Sequence, residues 1–157
     1  MTTIDDWIEK ANSNLSAARE AAKWDYSTAV QRSQECIELS VKAILDVLGI
    51  QYRKVHEWTD KEVQNILEDA RNKNADTKLE SKGCSHIRLA RLIVLSNLWG
   101  RFYLPAKYGM EGGFAAAQDL FTLKEANLAV EHADECLMAA VCVRSAFSTS
   151  GADAAFA

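Results

Sequence analysis

Proline is almost missing from this chain. Pro105 is the single one in 157 residues, and glycine occurs only seven times. Sandwiches and βαβ arrays need frequent Gly/Pro turns, so this scarcity favours long helices. No apolar run approaches the ~20 residues that span a bilayer. The start, MTTIDDWIEK, lacks the basic-then-apolar pattern of a secretory signal. Both absences point to a cytoplasmic protein with no membrane partner. The four cysteines, Cys36, Cys84, Cys136 and Cys142, contain no CxxC pair. They suggest neither a zinc site nor, in a reducing compartment, a disulfide. Cys36, Cys136 and Cys142 lie in helical patterns and read as small core residues. Cys84 with His86 supplies two ligands, too few for a metal site. Ser-His-Asp, Cys-His, HExxH and P-loop patterns are also absent, and no metal or cofactor is expected.

What is present centres on Tyr26 to Gly49. Val30, Ile37, Val41, Ile44 and Leu48 recur at helical spacing on one face. Ala29, Cys36, Leu39, Ala43 and Val47 form a second apolar face beside it. A helix with so much apolar circumference belongs inside a bundle. Gln34, Glu38 and Lys42 make a narrow polar row, each one turn apart. Glu38 and Lys42 read as an exposed pair worth ~0.2–0.5 kcal/mol. Gly49 suits the left-handed position that ends a helix.

Ile4 to Lys23 reads as a first helix, with a stripe of Ile4, Trp7, Ile8, Ala11, Leu15, Ala18 and Ala22. Thr3 is its N-cap, and Asp5 and Asp6 suit the first turn. The short Trp24-Asp25-Tyr26 connection makes the first two helices an antiparallel hairpin. Thr59 and Glu62 form a capping box that opens a helix from Asp60 to Asn72. His56, just before it, is expected to bond backbone and order the turn, or to serve in ligand contact or proton transfer. Arg71 to Ser85 is the most polar stretch and reads as a mobile loop, or as frayed helix ends around one. Ser85 to Phe102 is apolar nearly all round, so it is central or serves a subunit interface. Trp99, Phe102 and Tyr103 are the expected anchors of a homodimer there, the alternative being that the core of the single chain takes them all up. Gly112 and Gly113 permit a sharp turn or mobile loop. Thr122 and Glu125 form a capping box for a last helix, reaching about Phe147. The fold class is all-α, an up-and-down antiparallel bundle of four to five helices. Residues 1–148 form a single domain, and 149–157 a small-residue tail expected to be disordered.

The net charge of −4 is unevenly spread. From Arg71 to Lys107 there are eight basic residues and two acidic ones. The remainder therefore carries an excess of ten acidic charges. Such asymmetry either matches an anionic partner or complements acidic neighbours inside the fold.

Ser33 to Leu45, SQECIELSVKAIL, resembles the second helix of HEPN-domain proteins (higher eukaryotes and prokaryotes nucleotide-binding domain). Gln34, Glu38, Lys42, Ala43 and Leu45 fall on the pattern of that family. His56 matches a histidine commonly found after the second helix. Lys107-Tyr108-Gly109 stands where many members have Arg-Tyr-Pro. The alanine-rich last helix behind an acidic start is similar too. The resemblance implies an all-α bundle, usually dimeric, in one of two branches. One branch comprises metal-independent ribonucleases, many of them toxins, which carry an Arg and a His with four to six residues between them. The other comprises non-catalytic modules that bind nucleotide or RNA, or that pair with minimal nucleotidyltransferases. The ribonuclease spacing is absent, since Arg53 lies only three residues before His56, and His86 and His132 have no suitable Arg. The expected function is therefore a binding module. Its ligand residues would be Gln34, Glu38, Lys42, His56, Arg101, Lys107 and Tyr108. The alternative is a divergent ribonuclease with His56 as acid/base and Lys107 or Arg101 over the phosphate.

Overall fold

A helix with two apolar faces needs neighbours on both, and α2 (Tyr26–Val47) has them. It packs chiefly against α1 (Ile4–Ala21) and α7 (Leu123–Phe156), with α5 (Leu89–Gly100) as a further neighbour. The computed structural model describes residues 3–109 and 116–156, with side chains as far as 148. Val30, Ile37, Val41, Ile44 and Leu45 of α2 are buried, each contributing about 1.5–3 kcal/mol. On α7, Ala129, Ala133, Cys136, Ala140 and Val143 are buried opposite them. Their small side chains let the α7 backbone approach α2 closely. The remaining elements are α3 (Asp60–Asn72), α4 (Ala75–Ser81), α6 (Tyr103–Tyr108) and one 3₁₀ turn at Ala117–Asp119. The fold is all-α, with no strand among the described residues.

The helix starts follow from the caps. Thr3 and Asp6 close a reciprocal capping box on α1, and Thr59 and Glu62 do the same on α3. Asp25 caps α2 by accepting from the Thr28 amide. At the start of α7 the Thr122 hydroxyl and amide both meet the Glu125 carboxylate. Gly49 takes φ +71 after α2, the conformation expected of a helix-ending glycine.

Several segments differ from the sequence expectation. The polar stretch Arg71 to Ser85 is not simply a loop, because Ala75–Ser81 is helical. Asn74, at φ 52, reverses the chain after α3. Ala75 and Leu79, one turn apart and both buried, then hold α4 on the core. The helix expected from Ser85 begins only at Leu89. Ile87 donates its amide to the Cys84 carbonyl in a turn that delays the start. Pro105 lies in the first turn of α6, where no amide donor is needed, so it does not break that helix. α7 continues past the end expected near Phe147, to Phe156. No proline stops it, and its last residues are rich in alanine, the best helix former. Gly112 and Gly113 lie outside the described residues.

The expected dimer anchors are used inside the chain. Trp99 is buried, and its Nε1 donates to His132 Nδ1 at 2.9 Å. Phe102 packs against Trp99 and Phe121, at centroid distances of 5.6 and 5.9 Å. Much of the basic segment is likewise matched by internal acids. Lys73 pairs with Asp69, Arg91 with Glu135 and Arg101 with Glu57.

Candidate functional site

Helical spacing puts Gln34, Glu38 and Lys42 on one row of α2, and the 50–58 connection covers its Glu38–Lys42 end. The row is therefore not a surface one, which corrects the reading of Glu38 and Lys42 as an exposed pair. Gln34 and Lys42 are buried, at 1% and 8% exposure. The Glu38 side chain is 12% exposed. Glu38 accepts from three donors: Lys42 Nζ at 2.5 Å, Gln34 Nε2 at 2.9 Å and His56 Nδ1 at 2.8 Å. Burial alone would raise its pKa. The bonds from Lys42, His56 and Gln34 and the Lys42 charge outweigh burial and hold the carboxyl below its usual range. Lys42 also donates to the Val55 carbonyl at 2.9 Å. The turn backbone is thus ordered by Lys42, while the imidazole expected to do so bonds to Glu38 instead.

A second constraint brings the turn down onto α5. A Cβ at Gly100 would stand 1.8 Å from the His56 carbonyl oxygen. Only glycine allows this approach, which sets His56 beside the start of α6. Trp58 fixes the far side of the turn, taking the Asn97 side-chain oxygen on its amide at 2.6 Å. The His56 ring stacks on Tyr103, with centroids 3.9 Å apart and planes at 18°.

Because Nδ1 faces a carboxylate, it carries the ring proton. Nε2 then has no partner among the described residues. His56 is half exposed and lines an open cleft of about 540 Å³, together with Gly100, Arg101, Tyr103, Leu104 and Pro105. Lys107 Nζ lies 3.3 Å from the Tyr103 hydroxyl and 5.5 and 5.3 Å from the Tyr103 and Tyr108 rings. The Tyr103 hydroxyl, the largest influence, shifts the Lys107 pKa upward, so the ammonium stays charged. Arg101 pairs with Glu57 at 3.0 Å across an exposed gap. Such pairs are worth about 0–1 kcal/mol, so a phosphate can replace Glu57.

All seven residues named from the sequence thus fall in one connected region. Gln34, Glu38 and Lys42 form its floor, and His56 joins that floor to the cleft. Arg101 lines the cleft, and Lys107 and Tyr108 join it through Tyr103. Tyr103, Glu57 and Gly100 belong with them and were not read as site residues. The four-residue spacing of Tyr103 and Lys107 was the available signal for the first. Among the described residues no group of three or more His, Cys, Asp or Glu could hold a metal ion. No helix among them is long and apolar enough to cross a membrane.

A family model described as HEPN domain matches residues 4–141. No curated protein and no solved structure matches the chain.

Proposed function

The chain belongs to the HEPN-domain family, and from that premise we propose that the His56 cleft binds the phosphate of a nucleotide or of RNA without cleaving it. The observation that supports this reading most is the held imidazole. Glu38 fixes Nδ1 at 2.8 Å, Tyr103 fixes the ring plane, and Nε2 remains to accept from a ribose hydroxyl or base N–H beside the phosphate. Arg101 lines the cleft, Lys107 stands behind its Tyr103 wall at 3.3 Å from the hydroxyl, and Tyr108, 69% exposed, offers a face on which a base can stack. Buried Gln34, Glu38 and Lys42 position His56 and do not touch the ligand. The nucleotide arrives free, within RNA, or carried by a nucleotidyltransferase partner.

Anisotropy of a labelled single-stranded RNA, competed with free nucleotide, tests the proposal. Binding is expected to weaken with salt as phosphate contacts are screened. The double variant Arg101→Ala/Lys107→Ala should weaken it at least about tenfold, the scale of a lost charged hydrogen bond, and the single variant His56→Ala about threefold to tenfold, the scale of a neutral one. Unchanged affinity in both folded variants would refute the assignment.

One observation favours a second reading. A histidine oriented by a buried carboxylate is also the arrangement of a general acid/base. A divergent ribonuclease would use His56 on the 2′-hydroxyl, with Lys107 or Arg101 on the phosphate. Products ending in 2′,3′-cyclic phosphate, lost in His56→Ala, would decide for it. Identical cleavage by wild type and variant would end it.

The homodimer proposal moves to the outward side of α5 and α6. Val94, Leu98 and Leu104 are 55%, 42% and 62% exposed there. Leu104 lines the His56 cleft, and Val94 and Leu98 line an adjoining cleft that shares Arg101, so a second copy would bring two sets of cations near each other.

A further inference from the structure

Two thiols distant in sequence meet where the α4–α5 linker touches α7. Cys84 Sγ and Cys142 Sγ are 3.4 Å apart, and both are unbridged. Cys84 follows α4 in the linker to α5, and Cys142 is on α7. Cys84 is buried, whereas Cys142 is partly exposed. Cys142 also lines a cleft of about 630 Å³ shared with His86, Arg88, Arg91, Glu135 and Met138. The other two cysteines, Cys36 and Cys136, are fully buried.

We propose that Cys84 and Cys142 form an oxidation site for small peroxides, closing to a disulfide that ties the α4–α5 linker to α7. A disulfide needs the sulfurs at about 2.05 Å. The approach falls to the linker, because Cys84 is outside any helix and follows Gly83 at φ +79. α7 need not move.

The two thiols have different roles because their surroundings differ. Cys142 faces the cleft and meets the peroxide first. Its thiolate attacks one oxygen, the O–O bond breaks, and hydroxide leaves as water with the proton the thiol gave up. Cys84 Sγ then attacks the Cys142 sulfur and displaces its new hydroxyl. The S–O bond breaks, the S–S bond forms, and hydroxide leaves as water with the Cys84 proton. Two thiols and one peroxide give one disulfide and two waters. Burial, and then the bond to Cys142, raise the Cys84 thiol to about 11, which suits the resolving role and makes closure slow.

The test treats the purified full chain with hydrogen peroxide. Remaining thiols are alkylated with iodoacetamide under denaturing conditions and the digest is read by mass spectrometry. A linked peptide joining Cys84 and Cys142 is expected, with Cys36 and Cys136 alkylated, and dithiothreitol should reverse it. The oxidised chain should melt about 5–15 °C higher, since the bond closes a long loop. In Cys84→Ser, Cys142 should instead proceed to the sulfinic acid. The proposal is overturned if both thiols remain alkylatable. It is equally overturned if wild-type Cys142 stops at the sulfinic acid with Cys84 alkylated, or if the bond joins two chains.

Discussion

Replacing Glu38 with alanine should cost the fold about 3–5 kcal/mol, the penalty of leaving a buried charge without its partner. Lys42 would keep only the Val55 carbonyl, at a site 8% exposed. Gln34 and His56 would lose their shared acceptor as well. Denaturant unfolding reads the loss as a lower midpoint at unchanged m. The Glu38 carboxyl is held below its unfolded value of 4.5, so its contribution is fully present above that pH and fades as pH falls through the folded value. The wild type should therefore lose stability below pH 4.5 through a component that Glu38→Ala lacks. A loss under about 1 kcal/mol would mean that water solvates the pair as it does a surface one.

Trp99→Glu should be more severe, and it should unfold the chain instead of splitting a dimer. Truncating a buried tryptophan costs about 3–5 kcal/mol, and burying a carboxylate without a partner adds to that. His132 would also lose the donor on its Nδ1. Burial, and then the Arg91 charge, lower the His132 pKa, in keeping with a neutral ring that accepts from Trp99. Leu98→Glu is the complementary change, because Leu98 is 42% exposed. It should keep full helical circular dichroism and shift light scattering from dimer to monomer. A folded Trp99→Glu chain would show that Trp99 is not a core residue. A dimeric Leu98→Glu chain would place the interface elsewhere.

These two positions also show what the sequence could reveal. Helical spacing identified the apolar faces of α2, and the N-cap at Thr3 and the capping box at Thr59 placed α1 and α3 closely. Local chemistry decides such features, so they are legible locally. Periodicity also put Gln34, Glu38 and Lys42 in one row, but it carries no information on what covers a row. The cover is a turn held down by a glycine 44 positions from His56, a long-range contact without a local signature. α4 was missed because seven residues are too few for a stripe, and its hold on the core rests on Ala75 and Leu79 alone. Trp99 was misplaced for a related reason. Aromatic size marks an anchor, yet a core and an interface use the same anchors.

Chemical-shift mapping of the labelled chain with a short oligoribonucleotide tests the central claim most directly. If the His56 cleft takes the phosphate, the titrating signals will be those of His56, Arg101, Tyr103, Lys107 and Tyr108, with Glu38→Ala blunting the His56 response. Shifts confined to other surfaces, such as the Arg71–Asn74 side of α3 or the Arg88 cleft beside Cys142, would contradict it.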